Sequence, residues 1–331
     1  MWGRLAACGG FSIRLVRSST PCSSALFRLA LLLAAALILP ACRQPATGKI
    51  GSITIDPTLE SLVPPDTVFI MGADVDAIRN TAVYQKHIGI IELPRLNEFT
   101  RRTGIDPRKD ISQVLSVSDG KSGVLLVRGK FNSQDVESRL EHEGAHRTPY
   151  KNAALFGDER SAVLFLDSNT AAAGPTPALK AIVDDRGKPR HGLPEALAAR
   201  VRTVPAGSQI WAAFIGGVQG LNVAVPPDSN LAAAVQVLRG LDNAMLAIDL
   251  RNGFDLHGDA QCKTAADAKR LHDALKGIIG FGRLSTPDSK PELLKLYDAI
   301  QVEQAGDKVT IAAHLPPDMV DNFLDLWLKR R

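Results

Sequence analysis

The feature that most limits the possible folds of this chain is an internal repeat. The pairs Arg139-Leu140 and Arg270-Leu271 stand 131 positions apart. The same offset relates Ser133 to Thr264, and each of these residues is suited to capping the helix that carries the pair. The repeat predicts two related units, although two amphipathic patterns can also resemble each other by chance.

Short apolar runs between turn residues predict strands on both sides of this repeat. In the first half they are Thr67–Ala73, Val114–Val117, Gly123–Arg128, Ala153–Phe156 and Ala162–Leu166. In the second half they are Pro205–Ile215, Met245–Leu250, Phe254–Gly258, Tyr297–Gln304 and Val309–Ala313. The last two runs match Tyr150–Phe156 and Ser161–Phe165 in order, and a final helix, Asp318–Lys329, matches Pro177–Val183.

These patterns predict an α+β fold of two related units, each an antiparallel sheet with helices packed on one face. We divide the chain into a leader (1–41), a tether (42–63), a first unit (64–190), an Ala-rich helical connection that begins the second unit (191–240) and the rest of that unit (241–331). The body resembles uncharacterised exported bacterial proteins with the same strand, helix and hairpin order. That resemblance implies no activity.

The N-terminus has the pattern of an export signal. Leu29–Leu39 is a run of eleven apolar residues that follows Arg28 and precedes Pro40-Ala41-Cys42. Because a bilayer core requires about 20 apolar residues, this run is too short to span it and fits the apolar region of a secretory signal. The segment Leu39-Pro40-Ala41-Cys42 resembles the lipobox of bacterial lipoproteins.

That resemblance implies cleavage between Ala41 and Cys42 and a lipid on the Cys42 sulfur. It implies a diacylglyceryl thioether, an N-acyl chain and attachment to a membrane through this residue. Arg43 stands where inner-membrane lipoproteins often have Asp, which implies the outer membrane, facing the periplasm. An ordinary cleaved signal or an uncleaved anchor is the alternative.

Charge and cysteine content exclude two classes of protein. The chain has 39 basic and 35 acidic residues, and four of its arginines lie in the leader, so residues 42–331 are neutral overall. A neutral body lacks the basic field of a nucleic-acid-binding protein. If Cys8 and Cys22 leave with the leader and Cys42 carries lipid, only Cys262 remains. We therefore expect no intrachain disulfide, and we expect Cys262 to be a half-buried small apolar residue and not a reactive nucleophile.

One motif is typical of a metal site. His142-Glu143-Gly144-Ala145-His146 matches H-E-x-x-H, in which the two histidines bind zinc and the glutamate is the general base. However, Gly144 is placed to end the helix, and Pro149 would stop its continuation. We expect a solvated helix end and no metal or other cofactor.

The sequence favours a lipid-anchored envelope protein with a non-catalytic binding role, whose partner is an envelope protein or lipid. Two alternatives remain open at this point. One is a zinc-dependent hydrolase that uses His142, Glu143 and His146. The other is a carrier that shields a lipid or other apolar molecule between helices and sheet.

Overall fold

A computed structural model describes residues 53, 55–88, 94–186, 192–216, 237, 239–287 and 290–328. The strands are β1 Phe69–Asp74, β2 Ile111–Ser118, β3 Gly123–Gly129, β4 His146–Tyr150, β5 Ala153–Gly157, β6 Ser161–Asp167, β7 Thr170–Pro175, β8 Ile210–Ile215, β9 Leu241–Asp249, β10 Phe254–Cys262, β11 Gln301–Ala305 and β12 Lys308–Leu315. The helices are α1 Pro57–Glu60, α2 Val75–Arg79, α3 Ala82–His87, α4 Pro94–Thr103, α5 Pro107–Asp110, α6 Ser133–His142, α7 Thr176–Asp185, α8 Glu195–Val201, α9 Ala265–Leu284, α10 Pro291–Asp298 and α11 Pro317–Leu328.

The twelve strands of the described residues belong to one sheet, in the order β11-β12-β10-β9-β8-β1-β2-β3-β7-β6-β5-β4. Every neighbouring pair is antiparallel. The predicted α+β class and antiparallel pairing are confirmed. The sequence did not predict that β1 and β8 pair, which joins the strands of both halves into a continuous sheet.

The two halves of the sheet share a strand order. From the centre outwards, β1-β2-β3-β7-β6 on one side corresponds to β8-β9-β10-β12-β11 on the other. The sequence matched β11 and β12 to β5 and β6, whereas their places in the sheet match β6 and β7. The hairpin of β4 and β5 lies beyond β6 and extends the first half.

Helices cover both faces of the sheet in the first half. On one face, Leu59 of α1 and Leu179 of α7 pack over β3, β6 and β7, and Leu197 of α8 packs on the same face over β8 and β9. On the other face, Val136 and Leu140 of α6 pack with Phe99 of α4 over β3, β6 and β7. In the second half, α9, α10 and α11 cover this second face. The expectation of helices on one face therefore does not describe the first half.

Local sequence explains where the two repeated helices begin. Thr264 accepts a hydrogen bond from the backbone N–H of Asp267, as expected for an N-cap. In the first half the cap position is Asn132, without a side-chain cap bond, and Ser133 is already the first helical residue. The predicted capping role of Ser133 is therefore wrong by one position.

At the junction between the halves, a glycine allows a large side chain to pack closely against the backbone. Gly72 of β1 lies opposite Trp211 of β8, and the indole packs over the glycine backbone. A Cβ atom at Gly72 would lie 2.4 Å from the indole atom Cε2 of Trp211. Because Trp211 is buried in the core that both halves share, the indole cannot move aside without disturbing that core.

A buried polar contact fastens the last helix to the first half. His87 at the end of α3 is buried, and its Nε2 lies 2.7 Å from Oδ1 of Asp321 in α11. The Nζ of Lys86 donates to the other oxygen of this carboxylate at 2.5 Å. Burial alone would raise the pKa of Asp321, but the hydrogen bonds from Lys86 and His87 outweigh it and lower the pKa.

A pair of glycine substitutions tests the packing at the junction. We expect Gly72→Ala to lower the free energy of unfolding by about 1–3 kcal/mol, because the new methyl group overpacks Trp211. Gly277→Ala in α9 is the matched control, since a Cβ there meets nothing within 4 Å. We expect this control to raise the free energy of unfolding by up to about 1 kcal/mol. Equal changes in the free energy of unfolding for the two variants, measured by chemical denaturation, would contradict the close packing of Trp211 on Gly72.

A second substitution tests the contact between α3 and α11. We expect Asp321→Asn to lower the free energy of unfolding by about 1–3 kcal/mol at neutral pH. Because the folded-state pKa of Asp321 is lowered, its contribution is complete above the unfolded value of about 3.9 and is lost as the pH falls through the folded value. The difference in the free energy of unfolding between Asp321→Asn and wild type should therefore become smaller in acid. The control is Asp325→Asn, an exposed carboxylate of the same helix; a pH-independent difference at position 321 would refute the electrostatic explanation.

Candidate functional site

The proposed lipidation and cleavage residues, Cys42 and Ala41, lie outside the described residues. The described chain begins at Ile53, and Asp56 is fixed to the sheet soon afterwards. The Nε of Arg128 on β3 donates to Oδ2 of Asp56 at 3.2 Å, and the side chain of Gln113 on β2 accepts from the backbone N–H of Asp56 at 2.8 Å. The chain therefore enters the body at Asp56, beside the first half of the sheet, and the last part of the predicted tether (42–63) belongs to the body, because Leu59, Leu62 and Val63 are buried in the core.

The H-E-x-x-H residues do not form the geometry of a zinc helix. Helix α6 ends at His142, Gly144 has a φ of +90°, and His146 is the first residue of β4. The two histidines thus lie on different elements and not one turn apart on one helix. The predicted helix end is confirmed.

The glutamate of the motif has a structural partner. The Nε of Arg102 in α4 donates to Oε2 of Glu143 at 2.5 Å, which ties the end of α6 to α4. Across the described ranges, no group of three or more His, Cys, Asp or Glu side chains is arranged to hold a metal ion. The residues His142, Glu143 and His146 therefore do not assemble into the site that the hydrolase alternative requires.

Cys262 is a buried free thiol at the end of β10. Burial raises its pKa, and the carboxylates of Asp267 and Asp307 raise it further. The thiol therefore stays protonated at neutral pH, which disfavours nucleophilic chemistry. Cys262 is a small apolar residue as expected, but it is fully buried and not half-buried, because it packs among Leu241, Leu271 and Val309.

A cavity lies against α7. Its volume is about 340 Å³, within the range of about 300–1,000 Å³ that small-molecule sites occupy. Its apolar wall is formed by Leu62, Val63, Val117, Val124, Ala178 and Ile182. Pro64 and Pro65, which precede β1, also line the cavity. We call it the α7 cleft.

Carboxylates surround the opening of the α7 cleft. Among the described residues, Asp66, Asp119 and Asp185 line it together with one guanidinium, that of Arg186. Asp119 accepts hydrogen bonds from the backbone N–H groups of Ser122 and Lys121 at 2.7 and 2.8 Å, and these bonds lower its pKa. Asp119 is therefore ionised at neutral pH, and the cleft offers an apolar wall beside a predominantly negative opening.

Sequence patterns gave little indication of this cleft. Asp119-Gly120-Lys121-Ser122 has the composition of a hairpin turn, but its position beside α7 depends on the pairing of β2 with β3 and β3 with β7. Asp184 and Asp185 lie in the last turn of α7. The hydroxyl of Tyr150 donates to the Asp184 carboxylate at 3.0 Å, and this bond raises the pKa of Tyr150.

A second, smaller cavity lies between the sheet and helices α4 and α6. It is lined mainly by apolar residues, among them Phe99, Val127, Phe131, Val136 and Phe165. Its volume is about 50 Å³, a third of the roughly 150 Å³ that hold one benzene molecule in a protein core. An acyl chain does not fit between these helices and the sheet as they are packed.

No helix in the described part of the chain combines the length and the hydropathy that crossing a bilayer requires. This finding concerns the body, because residues 1–52 lie outside it.

Comparison with protein-family models found no match, and comparison with curated proteins found none either. Among solved structures, the chain is similar to TP0453 in three crystal forms. For form III the identity is 13%, the TM-score is 0.47, and the match covers 82% of this chain and 99% of TP0453. Form I gives 12% identity, a TM-score of 0.44 and coverages of 83% and 98%. Form IV gives 12% identity, a TM-score of 0.45 and coverages of 82% and 97%.

Proposed function

We propose that this chain is a lipid-anchored protein of the bacterial envelope with a non-catalytic binding role. The anchor rests on one observation, the order Arg28, apolar run, Leu39-Pro40-Ala41-Cys42 near the N-terminus. One acyl chain gives marginal membrane attachment, whereas two or more hold a protein stably, so a fully acylated Cys42 would suffice as the anchor. Arg43 favours the outer membrane.

The α7 cleft supports the binding role. It has the volume of a small-molecule site, one apolar wall and a mainly negative opening. This chemistry suits a partner of the envelope that presents a basic group next to an apolar one. Within the described residues, His142, Glu143 and His146 do not form the zinc geometry of the hydrolase alternative, and the cavity beneath α4 and α6 is too small for a shielded lipid chain.

The anchor is tested at Cys42. We expect Cys42→Ser to abolish lipidation, because serine has no thiol for the thioether bond, and to remove the acyl mass from the mature chain. Intact-mass measurement of wild type from the membrane fraction should give a chain that begins at residue 42 and carries acyl groups. A bare sulfur, or a leader still present, would contradict the proposal. Ser23→Ala, a change within the leader before its apolar run, is the control.

The cleft is tested by filling it. Ala181 lies on the exposed side of α7 and lines the cleft, so Ala181→Trp occupies the space without disturbing the core. We expect native mass spectrometry of the gently extracted protein to show a bound molecule in wild type and at least about tenfold less in Ala181→Trp. Ala266→Trp, at an exposed position of α9, should retain the molecule. Equal occupancy in both variants, or an unliganded wild type, would contradict binding in the cleft.

A further inference from the structure

The last two turns of α9 expose large apolar side chains in succession. Ile278, Phe281 and Leu284 are 70%, 74% and 88% exposed, so the exposure increases towards the end of the helix. Their spacing of three residues places them along one side of the helix. Large apolar side chains grouped in this way on the surface of a soluble body mark an interaction site more often than scattered ones do.

The rest of α9 shows that this side of the helix is free of the body. Leu271, Leu275 and Ile279 pack towards β10, β11 and β12, and Gly282 lies close to the ring of Tyr297. On Gly277 and Gly280, beside the exposed residues, a Cβ atom would meet nothing within 4 Å. The helix is thus held through Leu271, Leu275 and Ile279, while Ile278, Phe281 and Leu284 remain exposed to solvent. We call these three residues the α9 tip.

We propose that the α9 tip inserts into the surface of the membrane to which the chain is anchored. This inference rests on the proposed lipid at Cys42 and deepens it, because it states which side of the body faces the bilayer. Helices lie at a membrane surface when apolar side chains enter the acyl boundary and basic side chains remain among the headgroups. The stretch 276–290 contains Lys276, Arg283 and Lys290 against one acidic residue, and since Arg283 pairs with Asp298 of α10, Lys276 and Lys290 are the basic groups left for the headgroups.

The reach of the tether allows this orientation. Cys42 and Ile53 are eleven residues apart, which span at most about 40 Å when extended. Asp56 is bonded to β3, and α9 packs on β10 to β12. Since β3 and β10 are five positions apart in the sheet, they are separated by roughly 24 Å, and because Ile53 packs on the first face and α9 on the second, the two helix layers add roughly 20 Å across the sheet. The anchor and the α9 tip can therefore reach the same bilayer.

The size of the α9 tip favours a membrane over a second copy of the chain. Its three side chains expose on the order of 400 Å², about half of the ~800 Å² that each partner buries in a stable protein interface. A bilayer sets no such minimum, because the lipid on Cys42 already supplies the attachment and the α9 tip needs only to orient the body.

A fluorescent label at the α9 tip tests this orientation. The mature chain with Phe281→Cys is labelled with a polarity-sensitive dye and placed in vesicles of phosphatidylethanolamine and phosphatidylglycerol that carry nitroxides on their acyl chains. Cys262 is buried and does not compete for the dye. Lys121→Cys, in the exposed turn between β2 and β3, is the reference position. We expect the nitroxides to quench the label at position 281 at least about threefold more than the label at position 121.

Two further variants make the test specific for the apolar side chains. Ile278→Ser with Leu284→Ser, added to the labelled chain, should reduce the quenching at position 281 by about half or more. Ala265→Ser with Ala266→Ser, exposed in the first turn of the same helix, should leave it unchanged. Because all four positions are exposed, the fold should be retained, and circular dichroism checks this.

The outcomes separate this inference from the proposed function. Acylated Cys42 with a water-exposed label at position 281 overturns the membrane orientation and leaves the anchor intact. A blue-shifted label that the lipid nitroxides do not quench means that protein covers the α9 tip, either a second copy or another part of the chain, and this also overturns the inference. A bare Cys42 in the intact mass overturns the proposed anchor, and the inference falls with it.

Discussion

The contact of Trp211 with Gly72 is the constraint on which the rest of the structure depends. A twelve-stranded sheet forms only because β1 pairs with β8, and at the centre of this pairing a large buried indole lies on a backbone that has no side chain. Any larger residue at position 72 would compete with Trp211 for the same space. The junction therefore combines the backbone hydrogen bonds between β1 and β8 with the packing of Trp211 on Gly72, which tolerates little change.

This junction also fixes the relation between the two surfaces to which we assign roles. The α7 cleft belongs to the first half of the sheet, where the tether enters, and the α9 tip belongs to the second half. With β1 and β8 paired, and with His87 bonded to Asp321 across the halves, the cleft and the α9 tip are held in one body. A membrane contact at the α9 tip would then determine which way the opening of the cleft faces.

The sequence predicted the elements whose signal is local. Met245–Leu250 and Phe254–Gly258, joined by Asn252-Gly253, form the hairpin of β9 and β10, and Thr264 caps α9 as expected. It did not predict β7, because Ala171, Ala172 and Ala173 have little intrinsic preference for strands and form one only between β3 and β6. The pairing of β1 with β8 and the α7 cleft were missed for a related reason, since both arise from contacts between residues far apart in the chain. The α9 tip also has no local signal, because an apolar stretch reads the same whether it is buried or exposed.

The claim that both halves form one cooperative body is tested most directly by native-state hydrogen exchange of the backbone amides. We expect the most protected amides of β2 and β9, which flank β1 and β8 on either side, to exchange with the same opening free energy, equal to that of global unfolding. Denaturant should lower both values with the same slope. A β9 that opens at a distinctly lower free energy than β2, with a smaller slope, would contradict the account, because the second half would then unfold on its own.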